Sequence, residues 1–196
     1  WKSGNGPEAI RQLKELGLEV FVTEPRRLEQ IAVLIEKLGR LTGTSEAAEN
    51  RARALRERLR MLTERYSARP TLSVFYQIWN RPLMTAGGNS LINQMIERCG
   101  GRNVFKGLGE LAPTISEEAV ITADPQVIIA SGMGEQPPEW LDAWRRWPTL
   151  AAVAHGQLHF IHPDLLQRPT PRAVEGTEQL CRALDAARTA YKEEDR

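Results

Sequence analysis

The sequence predicts an α/β protein. Its C-terminal lobe has a parallel-rich sheet flanked by helices, a long inter-lobe helix stands ahead of that lobe, and an incomplete N-terminal α/β lobe opens the chain. Three observations predict this. Three short apolar runs, 71–79 (TLSVFYQIW), 126–131 (QVIIAS) and 157–162 (QLHFIH), are separated by helix-patterned segments, as in βαβ units with a sheet covered on both faces. Residues 44–68 contain neither Gly nor Pro and carry a thin apolar stripe in a charged background. Residues 1–43 read helix, strand, helix, and one strand can neither make a sheet nor hide two helices.

Residues 7–16 have amphipathic helical spacing, with Pro7 suited to the first turn and Gly17 to the stop. Residues 18–23 (LEVFVT) alternate like a strand. Residues 26–40 place Leu28, Ile31, Leu34, Ile35 and Leu38 on one helical stripe. In 44–68, Thr44 or Ser45 can cap the start, and Ala52, Leu55, Leu59, Leu62 and Tyr66 form the stripe. Such a helix reads either as an ordinary surface helix or as a rigid strut of roughly 35 Å between two lobes, and its length and polarity favour the strut. The expected division is 1–43, a remnant of an N-terminal lobe; 44–69, the inter-lobe helix; and 70–196, the C-terminal lobe. Beyond residue 80, helices are expected over 91–98, 117–123, 138–147 and 171–191. Trp140, Trp144 and Trp147 in the third of these should form one buried stripe.

Lys and Arg number 26 against 25 Asp and Glu, a net charge of +1, which offers no basic footprint for nucleic acid. No stretch reaches the roughly 20 apolar residues that cross a bilayer. The chain opens on Trp-Lys-Ser-Gly, with no initiator Met and no signal peptide, so a processed or excised chain is expected. Cys99 and Cys181 form no CxxC motif, and their spacing leaves open a long-range disulfide or two buried thiols.

Catalytic signatures are missing: no GxSxG elbow, no P-loop and no HExxH. Gly4-Asn-Gly6 and Gly132-Met-Gly134 each lack the third glycine of a dinucleotide fingerprint and read as loops. His155, His159 and His162 cluster, but Gly156 breaks any helix there, and on a strand His159 and His162 point to opposite faces. No metal site is predicted. Trp79 ends a strand, and Trp1 opens the chain. An aromatic at a strand's carboxyl end either packs locally or walls a flat apolar ligand. Asp164 and Arg168 lie in the proline-stiffened run DLLQRPTPR, where they either read an amide-bearing ligand from both sides or pair with each other, with Arg172 structural. Ser116 caps the helix that Glu117 and Glu118 begin, and an exposed Glu there suits docking on a partner's Arg.

Three strings, GGNSLINQMIERCGGRNVF, APTISEEAVITADPQVIIAS and WPTLAAVAHGQLHFIHPDLLQRPTPRAVEGTEQLCRAL, resemble in order and spacing the C-terminal lobe of class III substrate-binding proteins, the helical-backbone type that serves ABC importers. The segment 44–68 is similar to that family's inter-lobe helix, and 1–43 to the end of its N-terminal lobe, with the opening third of the family's length absent. Within the family the likeness is to the cobalamin carriers, and it implies the following roles. Trp1, in a WxxGN stretch, contacts the corrin, as do Asp164 and Arg168. Cys99 and Cys181 are a disulfide pair, and Glu118 docks on arginines of the permease. Ala112 and Ile78 stand where those carriers place aromatics, with Trp79 beside Ile78 as a replacement wall.

The resemblance thus implies a monomeric, non-enzymatic periplasmic protein (or a lipid-anchored one in a bacterium lacking an outer membrane). It would hold cobalamin as cargo between two lobes, with no cofactor, and hand it to ABC permease subunits. Haem and ferric siderophores are the alternative ligands of the same fold. An α/β enzyme with an unrecognised site and a scaffold using the long helix are the readings from other classes.

Overall fold

The computed structural model describes residues 2–132 and 136–194. Helix α1 (Lys2–Glu15) contains a kink at Gly6, whose φ of 75° is non-helical, and it ends before Gly17. Residues 18–27 then run without a strand. The alternation of LEVFVT predicts a strand, and the structure corrects this: no described strand lies alongside, and Leu18, Phe21 and Val22 stand exposed. A strand exists only by pairing, so pattern alone does not make one.

Helices α2 (Leu28–Thr42) and α3 (Ser45–Tyr66) form an antiparallel hairpin. The chain reverses at Gly43, which is left-handed with φ 72°. The two helices approach so closely that a Cβ on Gly39 would lie 2.2 Å from that of Ala48. Leu28 and Ile31 of the predicted α2 stripe are buried, whereas Leu38 is exposed because Gly39 takes the contact beside α3. The predicted stripe of α3 is buried throughout, with Ala48 added. At 1.5 Å per residue its 22 residues span about 33 Å without interruption.

Strand β1 (Leu72–Trp79) is central. Strands β2 (Met84–Thr85, antiparallel) and β3 (Gly101–Asn103, parallel) pair with successive halves of one edge, β4 (Val127–Ala130) pairs parallel along the other, and β5 (Leu158–Phe160) extends the sheet beyond β4. The connections carry α4 (Leu91–Arg98), α5 (Glu117–Ala123), α6 (Glu139–Asp142), α7 (Ala151–Ala154) and α8 (Pro163–Leu166), and α9 (Arg172–Glu194) follows. The predicted helix over 138–147 is instead α6 followed by a 3-10 turn, Ala143–Arg146. The tighter winding rotates the tryptophans apart. Trp144 is buried, Trp140 is partly covered, and Trp147 is 37% exposed, so the single stripe is not formed.

Alternation along the strands divides the core. Val74, Tyr76, Val127 and Ile129 join α2, α3, α4 and α9 on one face; Phe75, Ile128 and Ala130 join Val120, Leu141, Trp144 and Leu150 on the other. On the second face the Trp144 indole N–H donates to the buried Gln77 Oε1 at 2.7 Å. Cys99, at the C-terminus of α4, and Cys181, within α9, are joined by a disulfide that closes a loop of 82 residues. Beside it the buried Arg188 donates to the carbonyls of Pro70 (2.8 Å), Cys99 (2.7 Å) and Gly100 (3.2 Å), which caps the end of α4. Burial lowers the Arg188 pKa, and Asp185 opposes that shift. No helix among the described residues is long and apolar enough to cross a membrane.

Candidate functional site

One hollow, of about 590 Å³, is a groove on the outer side of α3 and α9, lined among others by the ion pair between Arg58 and Glu178 at 2.8 Å. Its walls are helical residues alone, with none from a strand. A second cavity, of about 370 Å³, sits at the carboxyl end of β1, where ligands of parallel sheets are bound. Ile78 contributes from β1. Asn89, Ser90, Leu91 and Ile92 come from the start of α4, Leu111 and Ala112 from the loop before α5, and Leu166, Gln167 and Pro169 from α8 and the turn after it. Glu24, Pro25 and Arg26 close the opposite side. This mainly apolar cleft with a few amide and hydroxyl groups has the chemistry of a small-molecule seat, and the charged outer groove does not.

Local chemistry places each wall. Ser90 caps α4, accepting from the Asn93 amide at 3.0 Å and donating to the Gly87 carbonyl at 2.7 Å, which brings Leu91 and Ile92 to the cleft. A Cβ on Gly87 or Gly88 would lie about 2 Å from the carbonyl oxygens of Glu110 and Lys106, so this turn packs directly on the loop that carries Leu111 and Ala112. Pro163 opens α8, and His162 Nδ1 accepts from the Asp164 amide at 3.2 Å. Beneath Ile78, the Tyr76 hydroxyl is fully buried beside Ser131 and Gln167 without a hydrogen bond, and burial pushes it up to about 12.

Of the predicted ligand residues, Trp1 lies outside the described residues. Trp79 is 37% exposed on the strand face opposite Ile78, and its indole donates to the Arg81 carbonyl at 3.0 Å. Asp164 Oδ1 lies 3.2 Å from Arg168 Nε, and Oδ2 lies 3.4 Å from Arg172 Nη1. The structure therefore brings Asp164, Arg168 and Arg172 together as an exposed ion cluster. Gln167, between them in sequence, lines the cavity in their place. Glu118 stands exposed at the start of α5. Its own backbone N–H, then the Ser116 hydroxyl, hold its carboxyl below the usual range. Its neighbour Glu117 is engaged by Arg146.

His155 stacks on Tyr191, His159 meets Gln157 Oε1 at 3.0 Å, and His162 caps α8. No group of three potential metal ligands occurs among the described residues. Sequence reasoning missed Gln167, Asn89 and the Glu24–Arg26 wall. Ile78 and Ala112, singled out by the resemblance, do line it, and the cap pattern at Ser90 is a further local signal for this region.

The profile of the periplasmic binding protein family matches residues 3–165. The chain is 31% identical over 188 residues to a vitamin B12-binding protein of Vibrio cholerae, covering 95% of this chain and 67% of that one. Its fold superposes with a TM-score of 0.83 on the crystal structure of the periplasmic vitamin B12 binding protein BtuF of Vibrio cholerae, at 31% identity over 95% of this chain and 72% of the other. A periplasmic heme binding protein from Pseudomonas aeruginosa superposes with a TM-score of 0.79 at 25% identity, over 90% and 67% of the two chains.

Proposed function

The chain belongs to the periplasmic binding protein family, and from that premise we propose that it is the extracytoplasmic, substrate-binding part of an ABC importer, carrying cobalamin as cargo to the permease. In this reading 1–43 belongs to one lobe, 70–196 to the other, and 44–69 is the stiff helix between them. The protein binds and releases its ligand unchanged, so it is not an enzyme.

The observation that carries the proposal is the composition of the cleft at the end of β1. A corrin is a flat apolar plate fringed with amides. Ile78, Leu91, Ile92, Leu111, Ala112 and Leu166 suit the plate, and Asn89, Ser90 and Gln167 suit the fringe. Cobalamin is larger than the cavity, which seats one edge of it. None of the described lining residues is His, Cys, Met or Tyr, the side chains that hold haem iron. Glu24 and Arg26 supply one charge of each sign, which favours a neutral ligand over an anionic ferric chelate.

The exposed Asp164–Arg168 pair is weak enough to be exchanged for ligand amides and flanks Gln167 at the rim. Trp1 is assigned to the aromatic wall, and the exposed, ionised Glu118 to the docking surface for permease arginines. Titrating the full-length protein with cyanocobalamin and, separately, with hemin tests the ligand. Saturable tryptophan quenching by micromolar cobalamin supports the proposal. Hemin binding without cobalamin binding reverses it.

A further inference from the structure

The cleft wall Glu24–Arg26 belongs to a stretch with no sheet to hold it. The bonds that tie the backbone within 18–27 include the Leu18 amide to the Leu13 carbonyl, the Lys2 amide to the Thr23 carbonyl, the Gln30 amide to the Arg27 carbonyl, and the Arg26 and Arg27 amides to Gln30 Oε1 at 2.7 and 3.2 Å. All of these run within the first 30 residues, so none of them sets the distance from the wall to α4 across the cleft.

Two side chains one turn apart on α4 bridge that distance, beside the apolar packing of Leu28 and Ile31 in one core with Ile92 and Met95. The Gln94 amide spans the gap in both directions: Nε2 donates to the Arg26 carbonyl at 2.6 Å, and Oε1 accepts from the Leu28 amide at 3.3 Å. Leu28 opens α2, so Gln94 also satisfies an otherwise orphan helix N–H. On the same face, Arg98 donates through Nη1 to the Leu59 carbonyl (3.0 Å) and Thr63 Oγ1 (2.6 Å) of α3, and through Nη2 to Glu29 of α2. Glu29 is turned towards it with Arg27 at 3.8 Å from its other oxygen. Arg98 is only 19% exposed, so this junction of three helices is largely shielded from solvent.

We infer that Gln94 and Arg98 are positioning residues that clasp segment Arg26–Glu29 to α4 and so fix the width of the ligand cleft. The inference rests on the reading of this cleft as the ligand seat. Neither residue needs to touch the ligand. Leu91 and Ile92 on α4 and Glu24–Arg26 across the gap are the opposed surfaces, and the clasp is the spacer between them. The chemistry demands an amide at 94, because one side chain must donate to a carbonyl and accept from an N–H. A carboxylate supplies only the acceptor.

The test uses the full-length protein with spin labels at Lys37→Cys and Lys106→Cys, both exposed, while the native cysteines are closed in their disulfide. Distance distributions are measured without ligand, and cobalamin affinity in parallel. The wild type should give one narrow distance. Q94A and Q94E should both broaden it with unchanged helix content, and should raise the apparent Kd about tenfold as the binding-competent fraction falls to about a tenth. R98K, which keeps the charge but loses the fork, should lie between wild type and Q94A. A narrow, wild-type distance in Q94A overturns the inference whatever the ligand, and so does a broadened distance with unchanged affinity. If the wild type binds no cobalamin, the ligand assignment falls, while the ligand-free distances still decide the clasp.

Discussion

Removing the disulfide should cost this protein a large part of its stability without unfolding it. The bridge closes 82 residues, and the chain-entropy relation for a loop of that size gives about 4.5 kcal/mol at 25 °C. Both cysteines are fully buried, so the replacement matters. The double variant Cys99→Ala/Cys181→Ala introduces no polar atom and should lose about 4 kcal/mol. The double serine variant buries two hydroxyls as well and should lose about 1–3 kcal/mol more for each one left unbonded. Native ellipticity should survive the alanine change, because Arg188 still holds the same end of α4 through the carbonyls of Cys99 and Gly100. Urea titration followed by far-UV circular dichroism reads the loss as a lower midpoint. The slope should steepen, since an uncrosslinked unfolded chain exposes more surface. A loss below about 1 kcal/mol with an unchanged slope would refute the reasoning, because the loop-closure relation would not then describe this bridge.

Four other expectations are as direct. Leu59→Ala, on the buried stripe of α3, should cost about 2–5 kcal/mol in urea melts, whereas Arg60→Ala should leave Tm unmoved although Arg60 pairs with Glu57 and Glu64 in solvent. Trp144→Phe strands the buried Gln77 oxygen and should cost about 1–3 kcal/mol, and adding Gln77→Leu should recover part of it. Glu118→Ala should weaken ligand-stimulated ATPase of the reconstituted importer and leave cobalamin affinity alone; a fall in affinity would contradict the docking role. Burial lowers the His159 pKa from 6.5, so below that pH the unfolded chain takes up a proton the folded chain refuses. Stability should therefore fall as pH drops from 6.5 towards the folded pKa, and His159→Asn should flatten the decline measured as Tm between about pH 7 and 5.

What the residues reveal in advance depends on how local the cause is. Helix α3 was legible almost to its ends, because an uninterrupted stripe without Gly or Pro has only one regular solution. Strands β1 and β4 were legible as apolar runs bounded by turn residues, and the disulfide and fold followed from resemblance. β2 and β3 are too short for any period to show. LEVFVT has the period of a strand but no described neighbour to pair with, a fact held elsewhere in the chain. The tryptophan stripe failed because i, i+4, i+7 spacing defines a face only at 3.6 residues per turn, and Ala143–Arg146 winds more tightly. The cleft was half visible. In the run 164–168 the sequence offered Asp164 and Arg168 as ligand readers or as a mutual pair, but which side chain turns to the cavity is decided by the single turn of α8, and that choice fell on Gln167. The wall at Glu24–Arg26 carries no signal in its own sequence, because it is placed by Gln94, 68 residues from Arg26.

The position of α9 has a consequence for how the chain matures. Leu180, Leu184 and Ala187 share one core with Val74, Tyr76 and Ile129, and the Tyr191 hydroxyl fastens to the Gln126 carbonyl at 2.9 Å. A polypeptide delivered amino end first, from a ribosome or through a translocation pore, presents this lid after everything it must cover. The share of this face that α9 covers is therefore the last to be closed, after α2, α3 and α4 have supplied theirs.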